Sequence, residues 1–343
     1  MNDAGYITCR IGKRSNEDVR SHKPFAYNTY LDQEAKQGTP GKLAADGAVD
    51  FLRNWKKDPA VSQGKPFFLH MAGPAPHDPR IAPPEYMARY DVNKMPLPAN
   101  YKPFHPFDNG ELFIRDEKLA PWPRTGEEIR RHLRDYYSDI TYMDEQFGRV
   151  FSALKEIGEY DNTILILTSD QGIAIGSHGL MGKQNLYEHS MNSGLTIAGP
   201  GIPQNRKVSA FAYLFDIFPT ICDLVGAPVP DSLEGKSLAP IVRGQAKSVR
   251  DTVFLGYKDL QRGVRRGDWK LLRYPKINKT QLFNLRRDPY ELQDLSGDTR
   301  QARRVADLTV LMEQQQKLFG DTAPLASAHP GRAEVDLAFF QTQ

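Results

Sequence analysis

The sequence predicts an α/β domain on a mainly parallel sheet flanked by helices, followed by a smaller antiparallel unit. Three observations predict it. Short apolar runs such as "KPFFLHMA" and "TILILT" alternate with segments of helical spacing up to about residue 250. The texture then changes to strand and turn patterns, "RGVRRGDWKLLRYP" and "TQLFNLRRDPYELQDL". The chain has 343 residues, 40% of them hydrophobic and 25% charged, which suits one large or two ordinary globular domains. The expected units are 1–250, the α/β domain, and 251–343, a C-terminal α+β subdomain.

Each element has its own reason. "GYITCRIGK" alternates and stops at Gly12-Lys13, a short strand. Leu43, Gly47, Phe51, Leu52 and Trp55 recur at helical spacing, with Thr39 as cap and Pro40 at the first helical position. "KPFFLHMA" is compact and apolar enough for a buried strand, and "GPAPHDPRIAPPEY" is a loop by its prolines and glycines. Residues 92–124 are proline-rich and irregular, a kind of stretch that is usually functional or disordered. Thr125 and Glu128 form a T-x-x-E capping box. The helix behind it carries the apolar stripe Leu133, Tyr136, Tyr137, Ile140, Met143, Phe147, Val150 and Leu154. "TILILTSD" is the clearest strand, and "GLTIAGPG" is another. "DIFPTICDLVGAP" is a helix capped by Asp216 and ended by Gly226, and 300–318 is a terminal helix.

Composition excludes several classes. Forty-five basic against 42 acidic residues give +3, too balanced for a nucleic-acid or membrane-surface partner. No run approaches the ~18 apolar residues of a membrane span. Cys9 and Cys222 lie far apart, neither in a CxxC, which speaks against a zinc site or a disulfide framework. The opening "MNDAGYITCRIGKRS" lacks the apolar core of an export signal.

The chemistry gathers where strands end. "DQGIAIGSHGLMGKQNLYEHS" follows "TILILTS" directly. Asp170 and the amide oxygen of Gln171 make a hard oxygen pair that suits calcium, magnesium less so, and zinc least. Lys183 offers a point charge to an anion, and His178 a proton carrier near neutral pH. His77 follows a second strand and Lys13 a third. In open α/β sheets ligands bind beyond the carboxyl ends of strands, so these groups are expected to converge on one anion. Singly, each has a plainer reading. An Asp-Gln pair often serves as a turn or cap, and a lone lysine is commonly just solvated. Asp135, Asp139 and Asp144 read as a solvated helix face, and Tyr136 and Tyr137 as core.

Together and in this order the segments resemble the sulfatase family of the alkaline-phosphatase-like superfamily. The similarity runs through "GYITCRIGK", "KPFFLHMAGPAPHDP", "YYSDITYMDEQFGRVFSALKEIGEYDNTILILTSDQG", "GSHGLMGKQNLYEHS", "FDIFPTICDLVGAPVP", "GKSLAP", "WKLLRY" and "LFNLRRDPYELQDL". The most specific part is S-D-[HNQ]-G followed by H-G-L-x-G-K, here Ser169–Gly172 and His178–Lys183. The resemblance implies an alkaline-phosphatase-like fold and hydrolysis of sulfate monoesters, assisted by calcium. It implies Asp170 and Gln171 as metal ligands, Lys183 and His77 on the sulfate and leaving oxygen, Lys13 anchoring nucleophile and sulfate, and His178 in substrate binding. The implied partners are a sulfated small molecule or a sulfated glycan.

The sequence also departs from the family. The formylglycine nucleophile of such enzymes is made from C/S-x-P/A-S-R, and no such pattern is present. Nothing before "GYITC" supplies the further calcium aspartates of the family's first strand. G-K-W-H reads here as Gly12-Lys13-Arg14-Ser15. The expectation is therefore a sulfatase-type chain lacking its N-terminal part, with an incomplete sheet, an exposed apolar seam and negligible turnover as written. Full-length members of the family often carry an export signal, and the protein is expected to be periplasmic or secreted if its N-terminal part carries one. Two alternatives are a non-catalytic protein that binds anions or sulfated glycans, and a phosphoester or phosphonate hydrolase of the same superfamily.

Overall fold

The computed structural model describes residues 1–14, 24–31 and 38–335. Ser15 and the last residues of the C-terminal unit lie outside the described residues. In chain order the elements are β1 (Ile7–Gly12), β2 (Tyr27–Tyr30), α1 (Lys42–Lys57), the single turn α2 (Pro59–Ser62), β3 (Phe67–Ala72), the single turn α3 (Pro84–Met87), α4 (Gly126–Glu156), β4 (Leu165–Thr168), the turn α5 (Glu188–Met191), β5 (Leu195–Ala198), α6 (Ile217–Val225), the turn α7 (Ala239–Val242), β6 (Thr252–Tyr257), β7 (Gln261–Arg266), β8 (Trp269–Tyr274), β9 (Lys279–Asn284) and α8 (Ala302–Leu318).

Strands β2, β1 and β3 form a parallel sheet with β1 in the middle, and all six residues of β1 are buried. Helices α1 and α4 cover one side. Ile7, Cys9 and Ile11 pack with Ala45, Ala48 and Leu52 of α1 and with Val150, Ala153 and Leu154 of α4. Leu165 of β4 rests on the same core, yet β4 pairs only with β5, antiparallel. Among the described residues β3 and β4 therefore each keep one edge without ladder partners. This corrects the expectation of a buried strand at β3, which is half-buried with His70 exposed, and Leu167 of β4 is 53% exposed. Phe218 on α6 and the preceding Phe215 are exposed as well.

Helix α4 begins as its sequence demands, with the Thr125 hydroxyl accepting from the Glu128 N–H at 3.2 Å. Its apolar stripe is only partly covered, with Leu133, Val150 and Leu154 buried and Tyr137 and Ile140 exposed. Asp139, read as solvated, is buried at 1% exposure. Helix α1 starts later than its Thr-Pro signal suggests, because Gly41 takes a left-handed φ of 81° and occupies the cap. Asp216 does not cap α6 with its side chain. Its carboxylate is spent on Arg250 and on the N–H groups of Tyr213 and Lys236, while Gly226 closes the helix at φ 73° as expected.

Strands β6 to β9 form a four-stranded antiparallel meander. Helix α8 covers it through Leu308 and Met312, which pack on Val264, Leu271 and Leu282. The other face meets the 172–191 region. There Lys270, fully buried, lies 2.9 Å from both Glu188 and Glu291, and Arg265 lies 2.7 Å from Glu188. One buried ion network thus holds the C-terminal sheet against the segment that carries Lys183.

Candidate functional site

The parallel register sets the first two groups side by side. Gly12 pairs with Ala72, and the Lys13 N–H donates to the Ala72 carbonyl at 3.1 Å. A Cβ on Gly12 would stand 2.3 Å from that carbonyl oxygen, so only glycine lets the ends of β1 and β3 close up. Lys13 follows this point, exposed, beside the end of β3, the strand whose following loop carries His77.

His77 sits in a turn closed by its own N–H to the Pro74 carbonyl, 3.1 Å. Its Nδ1 lies 3.0 Å from the Asp78 carbonyl and 3.4 Å from the Asp78 carboxylate. From Asp78 a chain of charge runs across to Lys183. Arg115 donates to Asp78 through both terminal nitrogens, and to Asp116 at 3.0 Å. Asp116 accepts from Gln184 at 2.8 Å and faces the Lys183 ammonium at 3.8 Å. Partial burial would lift the Asp116 carboxyl, but the bonds from Gln184 and Arg115 and the Lys183 charge hold it below the usual range. The bond to Asp78 pushes the Arg115 guanidinium up.

A second, buried layer fixes the backbone beneath Lys183. Glu117 accepts from the N–H groups of Met181 and Gly182, both at 2.8 Å, and from Arg124 at 3.0 Å. Burial pushes Glu117 up and Arg124 down to about 10, each resisted by the other's charge. A Cβ on Gly182 would lie 3.0 Å from Glu117 Oε1 and 2.6 Å from Gln184 Oε1, so any side chain there would push the tips of both residues aside.

His77, Lys183 and the Lys13 backbone are thus held in one connected neighbourhood. Asp170 is not part of that chain. It is exposed, and its carboxylate accepts the adjacent Gln171 N–H at 3.1 Å. His178 lies elsewhere, in a core of aromatic and imidazole rings. It is 4% exposed, its ring stacks on Tyr187 at 4.0 Å, and its carbonyl meets His105 Nδ1 at 2.8 Å. Burial depresses His178 to about 3 and His105 to about 4, and takes His189 well below its ordinary value, so all three are neutral bases at pH 7.

Asp170 and Gln171 offer two hard oxygen donors where calcium takes about six to eight. Among the described residues no group of three or more His, Cys, Asp or Glu is placed to hold a metal ion. The pair alone does not make a calcium cage.

Sequence reading missed Asp78, Arg115, Asp116 and Glu117. For the last three the available signal was the run "IRDEK" inside the irregular 92–124 stretch, where four charged residues follow an apolar one. Cys9 and Cys222 are both buried and free, and no helix among the described residues is long and apolar enough to cross a membrane.

A family profile described as Sulfatase matches residues 1–227. The chain belongs to the sulfatase family. A second profile, N-sulphoglucosamine sulphohydrolase, C-terminal, matches residues 176–318, which takes in the antiparallel meander and α8. Among sulfatase-family relatives, the N-acetylglucosamine-6-O-sulfatase of Bacteroides thetaiotaomicron is 32% identical over 224 residues, covering 62% of this chain and 39% of the relative. The arylsulfatase of Clostridium perfringens is 29% identical over 320 residues, covering 90% of this chain and 63% of the relative. The chain therefore spans less than two thirds of either. A structure solved in complex with its substrate D-glucosamine-2-N,6-O-disulfate superposes with a TM-score of 0.78 at 24% identity, covering 94% of this chain and 82% of that one. The phosphonate monoester hydrolase from Silicibacter pomeroyi gives 0.72 at 22% identity, covering 94% and 80%. The last two likenesses speak to the alkaline-phosphatase-like fold.

Proposed function

We propose that this chain recognises the sulfate group of a sulfated sugar and contributes the cationic part of a sulfuric ester hydrolase site. The observation that carries the reading is the chain His77–Asp78–Arg115–Asp116–Lys183, which links an imidazole on the loop after β3 to an ammonium on the segment after β4. As a sulfate ester cleaves, negative charge moves toward the leaving oxygen. Fixed cations at that oxygen stabilise the transition state more than the ground state, by ~3 kcal/mol for one good contact. Lys183, oriented by Asp116, would meet the sulfate and leaving oxygen. His77 would hold or deliver the proton there, and Lys13 would face the sulfate from the neighbouring strand end. Asp170 and Gln171 would lend two oxygens to a calcium ion, which would polarise and orient the sulfate.

No residue of the 343 stands in a C/S-x-P/A-S-R pattern, so this chain by itself would recognise sulfate without turning it over. The ligand class follows the relative that acts on N-acetylglucosamine 6-O-sulfate. The test is isothermal titration with N-acetylglucosamine 6-O-sulfate and with unsulfated N-acetylglucosamine, beside a 4-nitrocatechol sulfate assay. Sulfate-dependent heat with no turnover is the expected result. Equal heats from both sugars, or none from either, refute the reading.

A further inference from the structure

The loop that carries His77 is fastened at a second place. Arg80, three residues on, lays its guanidinium against helix α4, 5.5 Å from the centre of the Tyr136 ring. Its Nε and Nη2 are buried and have no hydrogen-bond partner. One turn along α4 from Tyr136, Asp139 is 1% exposed, and its Oδ1 is also buried without a partner. Each of the two groups acts on the other's charge. Buried donors and a buried acceptor standing unmet in one place are costly unless they serve each other.

The surrounding charges are few. Asp78 on the loop, and Tyr136 and Asp135 on α4, also act on Arg80, while Asp135 is the other charge that bears on Asp139. His132, on the same face of α4, feels Arg80 and stands 3.3 Å from Glu128. From the stretch after α3, Tyr90 brings only a hydroxyl, bonded to Thr141 at 2.5 Å.

We propose that Arg80 and Asp139 are positioning residues for His77, seating the 74–83 loop on α4 and so fixing where the imidazole stands. Arg80 is the clamp, through its guanidinium over the Tyr136 ring, with the buried Asp139 carboxyl acting on its charge. Asp139 makes the clamp depend on pH. Burial lifts its carboxyl to about 7 against the opposing pull of Arg80. When the loop lifts, Asp139 meets water and its pKa returns toward ~3.9. The seated state therefore binds the proton more tightly. Seating is strongest at low pH and weakens as pH rises through about 7, where a second buried charge must be solvated. The importance of His77 rests on the function proposed above, whereas the seating does not.

The experiment is hydrogen–deuterium exchange of peptides covering 74–83 in the full chain, at pH values from about 6 to 8.5, corrected for intrinsic rates. In the wild type, exchange should accelerate several-fold across that range. Asp139→Asn, a neutral isostere, should stay slow throughout. Arg80→Met should be fast throughout, with Arg80→Lys between it and the wild type. An Asp139→Asn chain that keeps the wild-type pH dependence, or an Arg80→Met loop as protected as the wild type, overturns the proposal. Should Arg80→Met fail to fold by circular dichroism, Asp139→Asn and Arg80→Lys decide it. Titration with N-acetylglucosamine 6-O-sulfate over the same range separates the two readings. Altered exchange with unaltered binding removes His77 from the sulfate site and leaves the seating intact. Unaltered exchange removes the seating, whatever the binding.

Discussion

Asp116 stands 3.8 Å from the Lys183 ammonium while also holding Arg115 at 3.0 Å and Gln184 at 2.8 Å. The carboxylate joins the lysine after β4 to the histidine after β3 through a single arginine. Lys183→Met should weaken binding of a sulfated sugar about tenfold or more, since a lost charge-assisted contact costs ~1.5–3 kcal/mol. Asp116→Asn should weaken it less. The double substitution should be no worse than Lys183→Met alone, because Asp116 acts through the lysine. Calorimetric titration of the three variants checks this, and additive losses would show that Asp116 acts independently.

Glu117 is 3% exposed and ties Arg124 to the backbone under Lys183. Glu117→Gln leaves the Arg124 cation buried without a counter-charge, a change that costs ~3–5 kcal/mol. The expected outcome is a thermal midpoint lower by roughly 5–15 °C, read by calorimetry. Arg124→Met alongside Glu117→Gln should recover part of that loss.

Lys270 is fully buried between Glu188 and Glu291, 2.9 Å from each. Lys270→Met leaves those two acids facing each other without a cation. A loss of ~3–5 kcal/mol is expected, and a denaturant titration should show it as a lower midpoint. Val310→Ala, at a 52% exposed position on α8, should change the midpoint little and serves as the control.

The imidazoles of His105, His178 and His189 are buried and kept neutral, with His105 near 4 and His178 near 3. Unfolding frees each to protonate at about 6.5. Their contribution to stability is thus fully present above pH ~6.5 and falls as pH drops toward the folded values, by ~1.4 kcal/mol per unit for each group. Melting curves between pH 7.5 and 5 should show the decline. His189→Leu should make it shallower, since neither ring nitrogen of His189 has a partner to lose.

Much of the candidate site could be read from the sequence because its carriers are local. The motif that places Lys183 is a contiguous run, and His77 and Lys13 each follow a strand that its own residues announce. What could not be read was relational. Asp139 lies among the acids Asp135 and Asp144 with the spacing of a wet helix face, yet it is buried in the fold, on the helix against which Arg80 packs. His178 has the residue type of a proton carrier, and nothing in its own stretch announces that its ring is buried and stacked on Tyr187. Arg115 and Asp116 carry no motif, and they matter because the irregular stretch before α4 folds back between two strand ends.

By itself the sequence determined the long helices and most of the strands, the α/β character of the first part and the antiparallel texture of the second, because backbone periodicity and turn residues act over a few neighbours. It also determined which strand ends carry cations. Tertiary structure alone decided which of those groups share a neighbourhood, which acids are buried, and that β3 and β4 each keep a free edge among the described residues. Those outcomes depend on desolvation and on pairing between segments far apart in the chain, as with Asp78 and Arg115, and neither is a property of any one stretch.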